Sequence, residues 1–210
     1  MQRETVKQEA REAILDAAER LLTRYGYGKV TMSDLAEEAG IGVGTTYLHF
    51  PGKAEVALAV VTRANLYVVE EQRKIAASSG SAETRLRDVL TQRILIRFER
   101  LQRQKHSLAE LRTIIRAAIE RQNGLREQGL LWREQETQIV ADLLAEGTKR
   151  GDFEVADPAG TADAMLWAME AFLPKNLRQE DLETPHLVSE RVHRIVDLLL
   201  RAVKRRDSGP

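Results

Sequence analysis

Apolar residues recur along most of the chain at intervals of three to four residues, and no segment alternates steadily between apolar and polar positions. The first pattern is typical of amphipathic helices and the second of half-buried strands. The sequence therefore predicts an all-α fold. The predicted first helix covers residues 8–25 and ends before Gly26. Its apolar face is formed by Ile14, Ala17, Ala18, Leu21, Leu22 and Tyr25.

Two short helices are predicted around a glycine turn. The hydroxyl of Thr31 can cap the free amides of the first, with Asp34 completing a capping box, and Gly40 ends it. The second covers residues 44–50 and ends before a Pro-Gly pair. Two short helices joined in this way are typical of a helix-turn-helix motif, which here covers residues 31–50.

Longer helices are predicted for the rest of the chain. The fourth helix begins near Lys53, ends near the Ser- and Gly-rich residues 78–81, and is expected to bury Val56, Val60, Ala64, Tyr67 and Val68. Apolar positions mark five further helices, at residues 86–101, 108–118, 132–144, 162–172 and 188–203. The predicted domains are residues 8–68, which contain the helix-turn-helix, and residues 69–206, a C-terminal helical bundle.

Composition narrows the class of protein. The chain has no Cys, so disulfides and cysteine-based zinc sites are excluded, and its 43% hydrophobic and 30% charged residues suit a soluble helical protein. Its polar start does not resemble a signal peptide. Charged residues interrupt every apolar run before the ~20 residues that a membrane span requires. We expect a cytoplasmic protein with no membrane segment.

Net charge does not favour nucleic-acid binding. The formal net charge is zero, and the segment through Lys53 holds seven basic and eight acidic residues. The distribution of charge is more informative, because residues 39–54 contain no acidic side chain but include His49 and Lys53. Phosphate groups should approach this window without repulsion.

The run TMSDLAEEAGIGVGTTYLHFPGKAEVAL, preceded by AILDAAERLLTRYGYGKVT, resembles the DNA-binding domain of the tetracycline-repressor (TetR) family. The resemblance covers roughly the first third of the chain. It rests on the joint spacing of Gly26, Thr31, Leu35, Ala36, Ala39, Gly40, Gly44, Tyr47, Phe50 and Lys53. It implies a transcription regulator, by default a repressor, that binds near-palindromic operator DNA as a homodimer through its last two helices. It also implies that a small-molecule effector releases the DNA.

Small and hydroxylated residues at the start of a recognition helix allow its backbone to approach the major groove. Tyr47, His49 and Lys53 can donate hydrogen bonds to phosphate oxygens, and Phe50 is expected in the core. The resemblance implies base contacts by Val43, Thr45, Thr46 and Leu48 and a phosphate contact by Thr31. Thymine methyl groups suit Val43 and Leu48. The predicted DNA-binding residues are therefore Thr31, Val43, Gly44, Thr45, Thr46, Tyr47, Leu48, His49 and Lys53.

Gly42 departs from the family pattern, which often has Ser or Thr at the cap of the recognition helix. Glycine is a tolerable cap that costs only a few tenths of a kcal/mol. The departure therefore leaves the motif intact but puts in doubt a side-chain contact to phosphate at this position.

The second domain carries weaker signals. Apolar ligands suit Met and aromatic side chains, and the candidate pocket residues are Phe98, Trp132, Met165, Trp167 and Met169. Residues at helical spacing are equally typical of core or dimer packing. Two interpretations are open for Arg93, Arg97 and His106: each side chain makes a polar contact with a ligand, or each is an ordinary solvated residue of its helix.

Catalysis has no support in the sequence, which contains no Walker loop, dinucleotide fingerprint, HExxH or nucleophile elbow. No cofactor is predicted, and the protein is not expected to be an enzyme. One face of the last helix carries His186, Glu190, His193 and Asp197, which suits a metal site or, more simply, a solvated surface. The alternative function is a helical ligand-binding or scaffold protein whose motif has lost DNA affinity.

Overall fold

The computed structural model describes residues 2–103 and 124–205. The described residues form nine α-helices: α1 Gln2–Tyr25, α2 Met32–Ala39, α3 Val43–His49, α4 Lys53–Ala76, α5 Ala82–Arg103, α6 Gly124–Arg150, α7 Pro158–Ala168, α8 Gln179–Glu183 and α9 Pro185–Val203. Two 3-10 turns, Glu170–Phe172 and Pro174–Asn176, follow α7. In these residues the β pairing is limited to one isolated bridge between Phe153 and Lys204. The predicted all-α fold is confirmed.

The observed helix boundaries agree best with the predicted ones where capping residues define the end of the helix. The predicted starts of α2 and α4 are confirmed, and the Asp157-Pro158 pair begins α7, with the Asp157 side chain accepting a hydrogen bond from the amide of Gly160. The first helix starts at Gln2, earlier than predicted. The short helix α8 was not predicted, because the five residues QEDLE carry no apolar repeat. The helix predicted at residues 108–118 lies outside the described residues.

Of the described residues, 2–65, 101–103 and 124–128 form one compact unit, and 66–100 and 129–205 form a second. The core of the first unit joins the apolar face of α1 to buried residues of α2 and α4; its members include Ile14, Leu15, Ala18, Leu21, Leu22, Leu35, Phe50, Val56 and Val60. Tyr25, which the sequence places on the apolar face of the first helix, is 47% exposed, lies beneath the guanidinium of Arg24 and is not part of this core.

The second unit is built around α5, which is buried on most of its circumference. Its predicted apolar residues are confirmed in the core: Leu86, Val89, Leu90, Ile94 and Phe98. Arg85 donates a hydrogen bond of 2.8 Å to the carbonyl of Ala76 and so satisfies the C-terminal end of α4. Tyr67 is 53% exposed, and the prediction that it is buried is wrong. Among the described helices, none is apolar over a length sufficient to span a bilayer.

Candidate nucleic-acid interface

Both ends of α2 are fixed by local hydrogen bonds. The hydroxyl of Thr31 accepts from the amide of Asp34 at 3.2 Å, and the carboxylate of Asp34 accepts from the amide of Thr31 at 2.8 Å. These interactions with the backbone and hydroxyl of Thr31 lower the pKa of Asp34. Gly40 ends the helix at φ +67°, a left-handed conformation that favours glycine. The turn into α3 is therefore set by its own residues.

The two faces of α3 differ sharply in exposure. Val43 is 41% exposed, Tyr47 51% and Leu48 83%, and Gly44 lies between them on the same side of the helix. Thr45 and His49 are partly buried at the margins. Since large apolar side chains are normally covered, a face of this kind is typical of a surface that contacts another molecule.

Thr46 lies on the opposite face and is completely buried. Its hydroxyl has no hydrogen-bond partner among the described residues. A side chain with no accessible surface does not suit the predicted contact to a base, because it would have to leave the core to make one. We therefore do not include Thr46 among the proposed DNA contacts.

The two glycines of this region differ in what a side chain would meet. A Cβ atom at Gly44 would meet none of the described residues within 4 Å, although glycine in a helix costs roughly 0.5–1 kcal/mol relative to alanine. Packing in the described part of the chain does not require this glycine, whereas close approach of an external backbone would. Gly42 caps α3 without a side-chain hydrogen bond and has an ordinary φ of −70°.

Lys53 and His49 are less available than the sequence implies. The ammonium of Lys53 donates a hydrogen bond to the carbonyl of Tyr27 and lies over its ring. His49 lines an open groove along α1, which also presents two basic residues, Lys7 and Arg11, and four acidic ones, Glu4, Glu9, Glu12 and Asp16. The acid-free window in the sequence is therefore not free of acidic neighbours in space.

Arg63 makes the main ion-pair cluster of the first unit, and sequence reasoning missed it. Its guanidinium lies 2.6 Å from a carboxylate oxygen of Asp16, 2.7 Å from one of Glu19 and 3.4 Å from one of Glu12. Burial lowers the pKa of Arg63, but the hydrogen bonds and charges of these acids outweigh it and the net shift is upward. The cluster joins α4 to one face of α1. The spacing of the three acids on α1 is the only signal of it in the sequence.

The second unit places the candidate ligand residues in different environments. Phe98, Met165 and Met169 are buried in the core, Trp132 is partly buried, and Trp167 is 60% exposed. The guanidinium of Arg133 lies 4.2 Å from the centre of a Trp167 ring. Trp167 thus lies at the surface, a placement that does not suit the lining of an enclosed pocket. The candidate His106 lies outside the described residues.

Arg93 and Arg97 are part of a buried ion-pair cluster. Both lie against Glu136, at 3.1 Å and 2.9 Å, and Arg93 and Glu136 each have only 3% of their side-chain surface exposed. Burial raises the pKa of Glu136, but the charges of Arg97 and Arg93 outweigh it, so the net pKa lies below the ordinary 4.5. The sequence indicates the two arginines as candidates but not their partner Glu136, which lies some 40 residues further along the chain.

Some buried polar atoms of the second unit lack a partner in the described part of the chain. These atoms are the side-chain amide nitrogen and oxygen of Gln72, Nε of Arg85, the hydroxyl of Thr91 and Nη1 of Arg93. Unsatisfied buried groups are costly, so each calls for a water or a ligand atom.

The polar face of α9 is engaged in contacts within the helix and with α5. Asp197 pairs with Arg87, Glu190 pairs with Arg194, and Nδ1 of His193 lies 2.7 Å from the carbonyl of Ser189. The charge of Arg87 lowers the pKa of Asp197 by hydrogen bonding and Coulomb attraction. Across the described residues, no group of three His, Asp or Glu side chains is arranged to hold a metal.

Comparison with known proteins identifies relatives of the first unit. Residues 14–60 match the family model described as "Bacterial regulatory proteins, tetR family". The HTH-type transcriptional regulator TtgR of Pseudomonas putida is 43% identical over 54 residues, which are 26% of each chain. The match thus spans about a quarter of the length of this curated relative.

Solved structures extend the similarity in fold to nearly the whole chain. A transcriptional regulator from Cytophaga hutchinsonii has a TM-score of 0.71 at 19% identity, covering 92% of this chain and 98% of its own. SmeT of Stenotrophomonas maltophilia, solved with triclosan, has a TM-score of 0.65 at 22% identity, covering 96% and 94%. Residues 14–60 therefore match the TetR family of bacterial regulatory proteins in sequence, and the chain shares the fold of these solved regulators over most of its length.

Proposed function

We propose that this protein is a transcriptional regulator, by default a repressor, that binds a near-palindromic operator as a homodimer and is released by a small-molecule effector. The observation that carries the proposal is the helix-turn-helix of α2 and α3, whose recognition helix turns an uncharged, exposed face away from the core. Two such helices about 34–36 Å apart would enter successive major grooves.

The proposed DNA contacts divide into two groups. Val43, Gly44, Thr45 and Leu48 face the bases, with Gly44 allowing the close approach. Phosphate contacts come from Thr31, Tyr47, His49 and Lys53. The hydroxyl oxygen of Thr31 is the acceptor in the helix cap, and its hydrogen would have to turn from the Asp34 carboxylate to a phosphate oxygen. Lys53 likewise uses one of its three donors on Tyr27 and retains two.

The proposed dimer contact is formed by α7 and α9 with the same helices of a second copy. The outward side of α7 carries small residues and one large ring, namely Ala159, Gly160, Ala164 and Trp167, all exposed. On α9, Leu198 is 61% exposed. A helix that is apolar on both sides is normally buried, and a two-fold dimer would cover this face with its own copy.

The oligomeric state tests this contact. Trp167→Glu and Leu198→Glu together should convert a dimer into a monomer in sedimentation velocity, because each buries a charge in the contact. Leu131→Glu is the matched control, since Leu131 is 55% exposed on α6 and outside the proposed face. A wild-type monomer at micromolar concentration would contradict the proposal.

The proposed effector site lies in the second unit, near Phe98, Trp132, Met165 and Met169. Support comes from the unpartnered polar atoms of Gln72, Thr91 and Arg93, which would complement polar groups of a mostly apolar guest. SmeT, which shares the fold, is named in complex with triclosan. A screen of small apolar compounds, triclosan included, should yield one that both raises the melting temperature and releases DNA. Compounds that raise it without releasing DNA would contradict effector control.

DNA binding is tested by selecting binding sites for the full chain from random duplexes and measuring affinity by fluorescence anisotropy. Tyr47→Ala should weaken binding about tenfold, since a hydrogen bond to a charged phosphate contributes ~1.5 kcal/mol. Tyr67→Ala is the matched control, because Tyr67 is equally exposed but lies in the second unit. Selection that enriches no duplex would contradict the proposal.

The alternative is a helical ligand-binding protein without DNA affinity, favoured by the acidic residues of α1 that share a groove with His49. Salt dependence separates the two functions. A DNA-binding protein loses affinity steeply as salt rises, whereas the alternative predicts no retention of DNA even at low ionic strength.

A further inference from the structure

The exposed face of α3 has almost no hydrogen-bonding capacity. Val43 and Leu48 are aliphatic, Gly44 has no side chain, and Tyr47 contributes a single hydroxyl. Of the two threonines of the helix, Thr45 is partly buried and adds one hydroxyl at the margin of this face, whereas Thr46 is buried on the other side. This face is therefore chiefly apolar and carries no formal charge.

The usual means of reading purines are missing from this helix. Guanine is read by Arg or Lys and adenine by Asn or Gln, through paired hydrogen bonds in the major groove. None of these four residue types occurs from Val43 to His49. The apolar feature that the major groove does present is the C5-methyl group of thymine.

We propose that the protein recognises its operator mainly through thymine methyl groups, with Leu48 as the principal specificity-determining residue and Val43 as the second. The inference rests on the proposed DNA-binding function and adds the chemistry of recognition. Leu48 is 83% exposed in the chain alone, so it has the largest apolar surface on this face to transfer from water to a methyl group.

The test begins with a duplex selected by the full wild-type chain. Each thymine of a half-site is replaced in turn by deoxyuridine, which keeps the hydrogen-bonding groups of the base and removes only the methyl. At a contacted position affinity should fall about fourfold, the value of one buried methyl-sized group. A duplex with 5-methylcytosine in place of the same thymine should bind more tightly than one with cytosine, because it restores the methyl group alone.

Variants assign the effect to a side chain. Leu48→Ala should abolish the difference between thymine and deoxyuridine at one position of each half-site. Leu66→Ala is the matched control and should preserve it, because Leu66 is 48% exposed but lies on α4 in the second unit. Thermal melting of both variants confirms that they fold.

The possible results distinguish a failure of thymine-methyl recognition from a failure of the proposed DNA-binding function. Selection that enriches no sequence overturns the DNA-binding function and the inference together. An enriched operator that tolerates deoxyuridine at every thymine overturns the inference alone. The same conclusion follows if Leu48→Ala retains the full difference between thymine and deoxyuridine.

Discussion

The ammonium of Lys53 donates a hydrogen bond to the backbone carbonyl of Tyr27, with the two atoms 2.8 Å apart, and lies 4.4 Å from the centre of the Tyr27 ring. The first residue of α4 is thereby joined to the segment between α1 and α2. The sequence points to Lys53 as a phosphate ligand only, whereas the structure gives it a second role in holding together the helix-turn-helix domain.

Replacing Lys53 by Met should therefore affect both stability and DNA binding. The change removes a charged hydrogen bond and a cation–π contact at a partly buried site. We expect the free energy of unfolding to fall by about 1–2 kcal/mol. Hydrogen exchange of the full chain, analysed on proteolytic fragments that cover residues 14–60, measures the opening of this region directly. DNA affinity should fall in the same variant.

Lys29→Met is the control for this prediction, because Lys29 is an exposed lysine of the same region. Surface substitutions of this kind usually change stability by less than about 0.5 kcal/mol. Equal exchange rates in the two variants would show that the contact with Tyr27 does not stabilise the domain.

Features encoded by neighbouring residues could be predicted from the sequence. The cap residues Thr31, Asp34 and Gly40 act within one or two turns of α2, so their hydrogen bonds follow from residue type and spacing. The buried positions of α5 also follow from the helical period.

Contacts between distant residues could not be predicted in the same way. Arg63 meets acids more than 40 positions earlier, and Arg93 meets Glu136 across a similar separation. The helical period shows on which face of a helix a charged residue lies. It does not show which residue of another helix forms an ion pair with it. The burial of Thr46 is an intermediate case. The resemblance implies a base contact for both Thr46 and Leu48, but their spacing in the helix places them on opposite faces, so they cannot both face the DNA.

Gly147 allows the ring of Phe153 to pack against α6. A Cβ atom at this position would lie 2.2 Å from the ring, closer than any real contact, and Phe153 is buried. Gly147→Ala should therefore lower stability by about 1–3 kcal/mol through overpacking, seen as a lower melting temperature. Gly129→Ala in the same helix is the control. A Cβ atom at Gly129 would meet no described residue within 4 Å, so the alanine should stabilise the protein slightly.

Glu136 pairs with two buried arginines, and its loss should be severe even though Glu170 also lies 3.8 Å from Arg93. Glu136→Gln leaves Arg93 and Arg97 without their shared carboxylate, for an expected cost of about 3 kcal/mol at pH 7 by urea denaturation. Asp142→Asn is the control, because Asp142 is exposed on the same helix. A loss no greater than that of the control would show that the cluster contributes no net stability.

The pH dependence of Glu136 gives an independent check. Its pKa in the folded chain lies below the ordinary 4.5, so its stabilising contribution is complete above that pH and is lost as pH falls through the folded value. The stability difference between wild type and Glu136→Gln should therefore shrink in acid. A difference that stays constant down to pH 3 would mean that the carboxylate does not titrate with unfolding.

Gly42 offers a substitution that should improve the protein. It caps α3 at φ −70°, and among the described residues an added Cβ would meet only the hydroxyl of Thr45, at an ordinary 3.8 Å. Gly42→Ser can accept a hydrogen bond from the amide of Thr45, with a gain of a few tenths of a kcal/mol in stability. If the capping position also faces phosphate, DNA affinity should rise about threefold without a change in salt dependence, since no charge is added. Gly42→Ala separates the causes, because it adds the Cβ without the hydroxyl; an equal rise in affinity with Ala would exclude a hydrogen bond to phosphate.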